Sequence, residues 1–99
     1  MLKLPDYDVI VWFHYNKFGK KLVEEILSSI DIMPYESFES EGVLDMHWEF
    51  DTWNEAVNFS KKLKRFINNP NLILLKASNL KNLEASIIYK DERYKNSDQ

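Results

Sequence analysis

Chemically useful side chains recur at every second position in one short stretch of the sequence, at Asp45, His47 and Glu49. Alternate residues of a β-strand point to the same side, so these three are expected to share one face, where His14 from another predicted strand could join them. Imidazole and carboxylate groups bind zinc or manganese and act as general acids and bases. An ordinary polar strand face has the same composition, and we therefore predict no metal site and no cofactor.

Catalysis by these groups is disfavoured by their surroundings. Acid–base cleavage of RNA needs cationic groups that hold phosphate, whereas this neighbourhood is anionic. The sequence has no cysteine nucleophile, and Gly19 and Gly42 are its only glycines, so it offers no glycine-rich loop for phosphate. We predict a binding protein and not an enzyme.

The strongest signal is an uneven distribution of charge along the chain. The 99 residues carry a formal net charge of −3, but the segment 31–55 contains eight acidic residues and no Lys or Arg. These carboxylates repel one another, and a positively charged partner would offset that repulsion and be steered to the surface. The alternative is that the charges only keep an exposed strand edge from aggregating.

The predicted partner contacts come from the acidic hairpin and the first strand. Trp12 alternates with Val11 and Phe13, so it lies in the core if helices cover its side of the sheet. If helices cover the valine side, Trp12 lies beside the acids as an aromatic anchor. The predicted contact residues are Trp12, Glu36, Glu39, Glu41, Asp45, His47 and Glu49.

A basic cluster near the middle of the chain is the main sign of a nucleic-acid partner. Lys61, Lys62, Lys64 and Arg65 occupy consecutive angles of a helix and do not form one stripe. Positive charge in the last turns of a helix complements the helix dipole, which explains the cluster without a ligand. We therefore predict no direct binding of nucleic acid.

Periodicity in the sequence predicts the elements that position these residues. Alternating side chains, β-branched and aromatic residues, and the turn residues between segments predict strands over 7–15, 35–40, 43–50, 71–78 and 84–89. The first strand is apolar on both sides, which favours a central position in the sheet. Asn16 is expected to cap a helix whose buried residues recur every four positions, at Phe18, Leu22, Ile26 and Ile30.

A second helix is predicted to begin at a capping box, with Thr52 and Glu55 satisfying opposite backbone amides, and to reach Ile67. The order of elements predicts an α+β fold: a ferredoxin-like βαββαβ antiparallel sheet with two helices on one face and an additional C-terminal strand.

The length and composition predict a single α+β domain over residues 1–99, in which the polar residues 91–99 fray. The absence of cysteine favours a reducing compartment. The longest apolar run, Val9 to Phe13, is far too short to cross a bilayer, and no secretion signal is recognisable. We therefore expect a cytoplasmic protein that does not bind membranes and is a monomer or a weak dimer.

Part of the chain resembles a known family. The stretch from Asp45 to Ala56 (DMHWEFDTWNEA), leading into Pro70 to Lys76 (PNLILLK), together with small size and an acidic, aromatic-rich hairpin, resembles bacterial immunity proteins of contact-dependent growth inhibition systems. The resemblance covers about residues 43–90. These proteins share no universal motif, so it assigns no binding residue by position.

The resemblance implies a cytoplasmic protein that binds and neutralises the toxin domain of a secreted adhesin, often a nuclease. A nuclease active site is basic because it holds phosphate, so an acidic surface would dock there. The alternative is a small regulatory or ligand-binding ferredoxin-like domain, for example a ribonuclease regulator.

Overall fold

A computed structural model of the protein describes residues 6–92. The described chain forms five strands and two α-helices, and a short 3₁₀ helix over Leu63–Phe66 directly continues the second α-helix. In chain order the elements are β1 (Tyr7–His14), α1 (Lys17–Ser29), β2 (Glu36–Ser40), β3 (Val43–Phe50), α2 (Trp53–Lys62), β4 (Leu72–Asn79) and β5 (Glu84–Lys90).

The five strands form one antiparallel sheet in the order β2-β3-β1-β4-β5. β1 is central, as its apolar residues on both sides predicted. The predicted α+β class, the antiparallel sheet and the additional C-terminal strand are confirmed. The strand order is not the standard ferredoxin-like βαββαβ topology, because β5 extends the sheet beyond β4 and takes its edge.

The core lies between the helices and one face of the sheet. Val9, Val11 and Phe13 of β1 point to that face and are fully buried, and Leu22 and Ile26 of α1 pack over them. The same cluster also contains Met46, Trp48, Ala56, Phe59, Leu63, Phe66, Leu72, Leu75 and Ala77. Residues from both helices belong to this one cluster, so both helices cover the same face, as predicted.

Both helices begin at the predicted caps. Asn16 Oδ1 accepts a hydrogen bond from the backbone N–H of Gly19 at 2.8 Å, and Thr52 Oγ1 accepts one from that of Glu55 at 3.1 Å. A capping box predicts that the Glu55 carboxylate accepts a hydrogen bond from the backbone amide of Thr52. It accepts one from the Thr52 hydroxyl instead, at 3.1 Å.

Within residues 6–92, no helix has the length and hydrophobicity needed to cross a membrane.

α1 buries a narrower stripe than the sequence predicts. Leu22 and Ile26 are buried, but Phe18 is 65 % exposed, so its predicted core position is wrong. Residues four apart differ by about 40° around a helix, so a stripe repeated every four residues drifts away from the contact surface at its ends.

Gly19 allows the start of α1 to lie close to the end of β1. A Cβ at this position would lie 1.7 Å from the carbonyl oxygen of His14.

A two-residue turn joins β2 to β3. Glu41 and Gly42 have φ angles of 53° and 78°, the left-handed pair that a type I′ hairpin turn requires. The loop before β2 is attached to the core by Trp48, whose indole Nε1 donates a 2.9 Å hydrogen bond to the carbonyl of Ile32. The turn after β2 and the hydrogen bond to the loop before it therefore fix β2 at both of its ends.

The chain after β5 is predicted to fray from residue 91 onward. Asp91 is 5 % exposed, and its backbone N–H donates a 2.8 Å hydrogen bond to the carbonyl of Ile73. Residues 93–99 lie outside the described part of the chain.

Candidate functional site

The sheet face opposite the helices collects most of the predicted contact residues. Helices cover the side of Val9 and Val11, so Trp12 lies on the opposite side of the sheet. This is the predicted alternative in which Trp12 lies beside the acids. We use the name acidic face for the side chains of β1, β2 and β3 on this side. In the strand register the pairs on it are Asp8 with Glu49, Ile10 with His47, Trp12 with Asp45, Glu36 with His47, and Phe38 with Asp45.

Two of the predicted contact residues do not lie on the acidic face. Glu39 pairs with Leu44, whose side chain points to the helix side, so Glu39 points away from the other acids. Glu41 occupies the first position of the hairpin turn and is exposed. Of the remaining acids, Glu36 and Glu49 are exposed, whereas the side chain of Asp45 is 19 % exposed.

His47 lies between two carboxylates on the acidic face. Its Nε2 is 2.7 Å from Oδ1 of Asp45, and its Nδ1 is 3.3 Å from Oδ2 of Asp8. The Asp45 contact is short but poorly aligned for a hydrogen bond, so we describe it as an ion pair. Asp45, and after it Asp8, raise the pKa of His47 to about 9, against the lowering effect of partial burial. His47 is therefore a cation at neutral pH.

Asp8 is a member of this cluster that the analysis of the sequence missed. It is 2 % exposed, and its Oδ2 accepts a 3.3 Å hydrogen bond from the hydroxyl of Tyr35. Burial, followed by the charge of Asp8, raises the pKa of Tyr35 well above its usual value. The alternation of β1 places Asp8 on the same side as Trp12, but its contact with His47 depends on which strand lies beside β1.

Three buried polar atoms near this cluster lack a hydrogen-bond partner among residues 6–92. They are Oδ1 of Asp8, Nε1 of Trp12 and Oδ1 of Asp45, the last of which forms the ion pair with His47. A buried polar atom without a partner typically costs about 1–3 kcal/mol.

Exposed apolar side chains border the acids. Phe38 of β2 is 50 % exposed and stacks on the His47 ring, with 6.4 Å between the ring centroids and 24° between the planes. Met33 and Tyr35, in the loop before β2, are 74 % and 39 % exposed. Protein–protein interfaces often combine an apolar or aromatic centre with a polar rim. The sequence analysis missed Phe38, although it alternates with Glu36 in the predicted strand.

Metal-ligand clusters and concave sites are two further ways in which the described chain could bind a ligand. Residues 6–92 contain no group of three or more His, Asp or Glu side chains arranged to hold a metal ion. An open groove with a volume of about 390 Å³ lies between α1 and the start of β4, and none of the predicted contact residues lines it. Its lining consists of Phe18, Lys21, Leu22, Glu25, Asn69, Pro70 and Asn71.

The chain matches no protein-family model, and neither characterised proteins nor solved structures show significant similarity to it. The resemblance to immunity proteins therefore stays a prediction, and the acidic face is the basis for a functional proposal.

Proposed function

We propose that this protein is a bacterial immunity protein of the contact-dependent growth inhibition type. In this proposal it binds its cognate toxin domain in the cytoplasm through the acidic face, and the toxin is a nuclease. The observation that supports it best is that Glu36, Asp45 and Glu49 share one sheet face with the exposed ring of Phe38.

Charge complementarity supports a basic partner. The cation of His47 offsets part of the charge of Asp8 and Asp45, while Glu36 and Glu49 extend outward from the same cluster. The surrounding segment 31–55 contributes no Lys or Arg. A phosphate-binding surface is rich in these residues, so it would meet mainly opposite charge at the exposed carboxylates of Glu36 and Glu49.

A second candidate is a small ligand-binding or regulatory domain. The groove beside Phe18 supports it, because concave, partly apolar sites are typical of small-molecule binding. This candidate predicts a compound that stays bound through purification and dissociates when Phe18 is replaced by a charged residue. Native mass spectrometry of the purified protein would detect it.

The immunity proposal is tested with the toxin domain encoded next to this protein. Binding and inhibition of its nuclease activity are measured at low and high salt for the parent and for Glu36→Lys/Glu49→Lys. The matched control is Glu24→Lys/Glu25→Lys, which makes the same charge change on exposed positions of α1.

The proposal expects salt-sensitive inhibition that is lost in the first double variant and kept in the control. Equal inhibition by both variants would show that the acidic face is not the docking surface. A failure of the parent protein to bind or inhibit the toxin would exclude the immunity function itself.

A further inference from the structure

The outer edge of β2 is a second distinctive feature of the acidic hairpin. Among the strands that the structure describes, β2 is one of the two edge strands and pairs with β3 on one side only. All five of its residues, Glu36–Ser40, are exposed. A strand edge of this kind presents backbone donors and acceptors to which another extended chain can pair.

The hairpin turn decides which backbone groups face outward. The type I′ turn at Glu41 and Gly42 makes Ser40 and Val43 the hydrogen-bonded pair that closes the hairpin. Hydrogen-bonded and non-bonded pairs alternate along an antiparallel ladder. The amides and carbonyls of Ser37 and Glu39 therefore point to the outer edge.

We propose that a basic, extended segment of the partner adds to this edge as an antiparallel strand. This inference rests on the proposed function, since it specifies how the partner of the acidic hairpin binds. The added strand pairs with the outward backbone groups of Ser37 and Glu39. Its side chains then alternate between the acidic face and the helix side of the sheet.

Charge selects this occupant over a second copy of the chain. Two copies paired through β2 would place Glu36 and Glu39 of both copies along one seam, and neither strand has a Lys or Arg to compensate their charge. Like charges on neighbouring strands are destabilising. The opposite edge of the sheet, β5, carries Glu84 and Lys90 and so favours no particular sign of partner charge.

The register predicts a short recognition pattern in the partner. Glu36 and Glu39 lie three positions apart and on opposite sides of the sheet, with Phe38 and Ser37 between them. An antiparallel strand would therefore place a cation opposite Glu39, an apolar residue opposite Phe38, a small residue opposite Ser37 and a cation opposite Glu36. The sequence Lys-Val-Thr-Arg has this pattern.

A peptide with this core provides the test. Two N-methylated forms carry the same charge: one is methylated on the Lys and Thr amides, which would face β2, and the other on the Val and Arg amides, which would face away. Binding is followed through the Ser37 and Glu39 amide signals of the ¹⁵N-labelled protein. We expect methylation of the facing amides to weaken binding at least about tenfold, and that of the outward amides by no more than about twofold.

A protein variant tests the same edge from the other side. Ser37→Pro removes one outward amide without removing a β2–β3 hydrogen bond, and Ser37→Ala keeps that amide. Only the proline variant is expected to weaken peptide binding. The dispersion of its amide spectrum shows whether it folds, and the methylated peptides decide the question if it does not.

Each alternative result is distinct. Equal binding of the two methylated peptides would overturn edge pairing, while salt-sensitive docking on the acidic face would stand. No shift of the Ser37 and Glu39 amides at millimolar peptide would also overturn it, as would a parent dimer that Ser37→Pro dissociates. If the peptides are discriminated but no toxin is inhibited, edge pairing stands and the immunity function fails.

Discussion

The imidazole Nδ1 of His47, on β3, lies 3.3 Å from the carboxylate Oδ2 of Asp8, on β1, although Asp8 directly opposes Glu49 in the strand register. The contact is therefore diagonal across two neighbouring strands. With Asp45 on its other nitrogen, His47 joins two carboxylates through one ring. The His47 cation therefore offsets part of the negative charge of Asp8 and Asp45.

His47 makes the stability of the protein depend on pH. Its pKa is raised from 6.5 to about 9 in the folded state, so its contribution is fully present below pH 6.5 and is lost as the pH rises through 9. Because the group is partly exposed, we expect a loss of only about 1–2 kcal/mol in the free energy of unfolding. Urea unfolding between pH 6 and 9.5 measures it. His47→Gln should remove this pH dependence. If the free energy of unfolding of that variant falls equally steeply with pH, groups other than His47 cause the dependence.

The two carboxylates should differ in their effect on His47. Asp45 is closer, at 2.7 Å, and is the larger cause of the raised pKa, so Asp45→Asn should lower the pKa of His47 more than Asp8→Asn does. NMR titration of the His47 ring signals measures both changes. A larger decrease in Asp8→Asn would mean that the buried carboxylate dominates the ion pair.

Phe38 should contribute to binding far more than to folding. It is 50 % exposed, so Phe38→Ala is expected to change the free energy of unfolding by less than about 1 kcal/mol. Aromatic residues at the centre of an interface often contribute about 2 kcal/mol or more, so affinity for the proposed toxin partner should fall by at least about tenfold. Phe18→Ala is the control, because Phe18 is also exposed but lies on α1. Equal affinities of the two variants would place the interface elsewhere.

Gly19 should be intolerant of any side chain. A Cβ at this position would lie 1.7 Å from the backbone oxygen of His14, so Gly19→Ala must displace α1 from the end of β1. Forced displacement of this kind typically costs about 1–3 kcal/mol, despite the higher helix propensity of alanine. Thermal or urea unfolding measures the loss, and Glu24→Ala at an exposed position of α1 should be nearly neutral. An unchanged or raised stability of Gly19→Ala would show that α1 can move freely.

Local patterns in the sequence were sufficient to predict the secondary structure. Alternation, β-branched and aromatic content and turn residues identified all five strands, and the side chains of Asn16 and Thr52 marked the helix starts, because these features act over a few neighbouring residues. The extent of burial was harder to predict. Phe18 is apolar and lies four residues before the buried Leu22, yet its side chain is exposed.

The sequence by itself determined that Asp45, His47 and Glu49 share a strand face, and that the segment around them is acidic. Only the tertiary structure decided that the helices cover the other face, which leaves Trp12 on the side of the acids and turns Glu39 away from them. It also brought Asp8 and Tyr35 to His47, although 39 residues separate Asp8 from His47 along the chain. Strand alternation is a local property of the backbone, whereas the pairing of distant strands depends on the burial of the whole core.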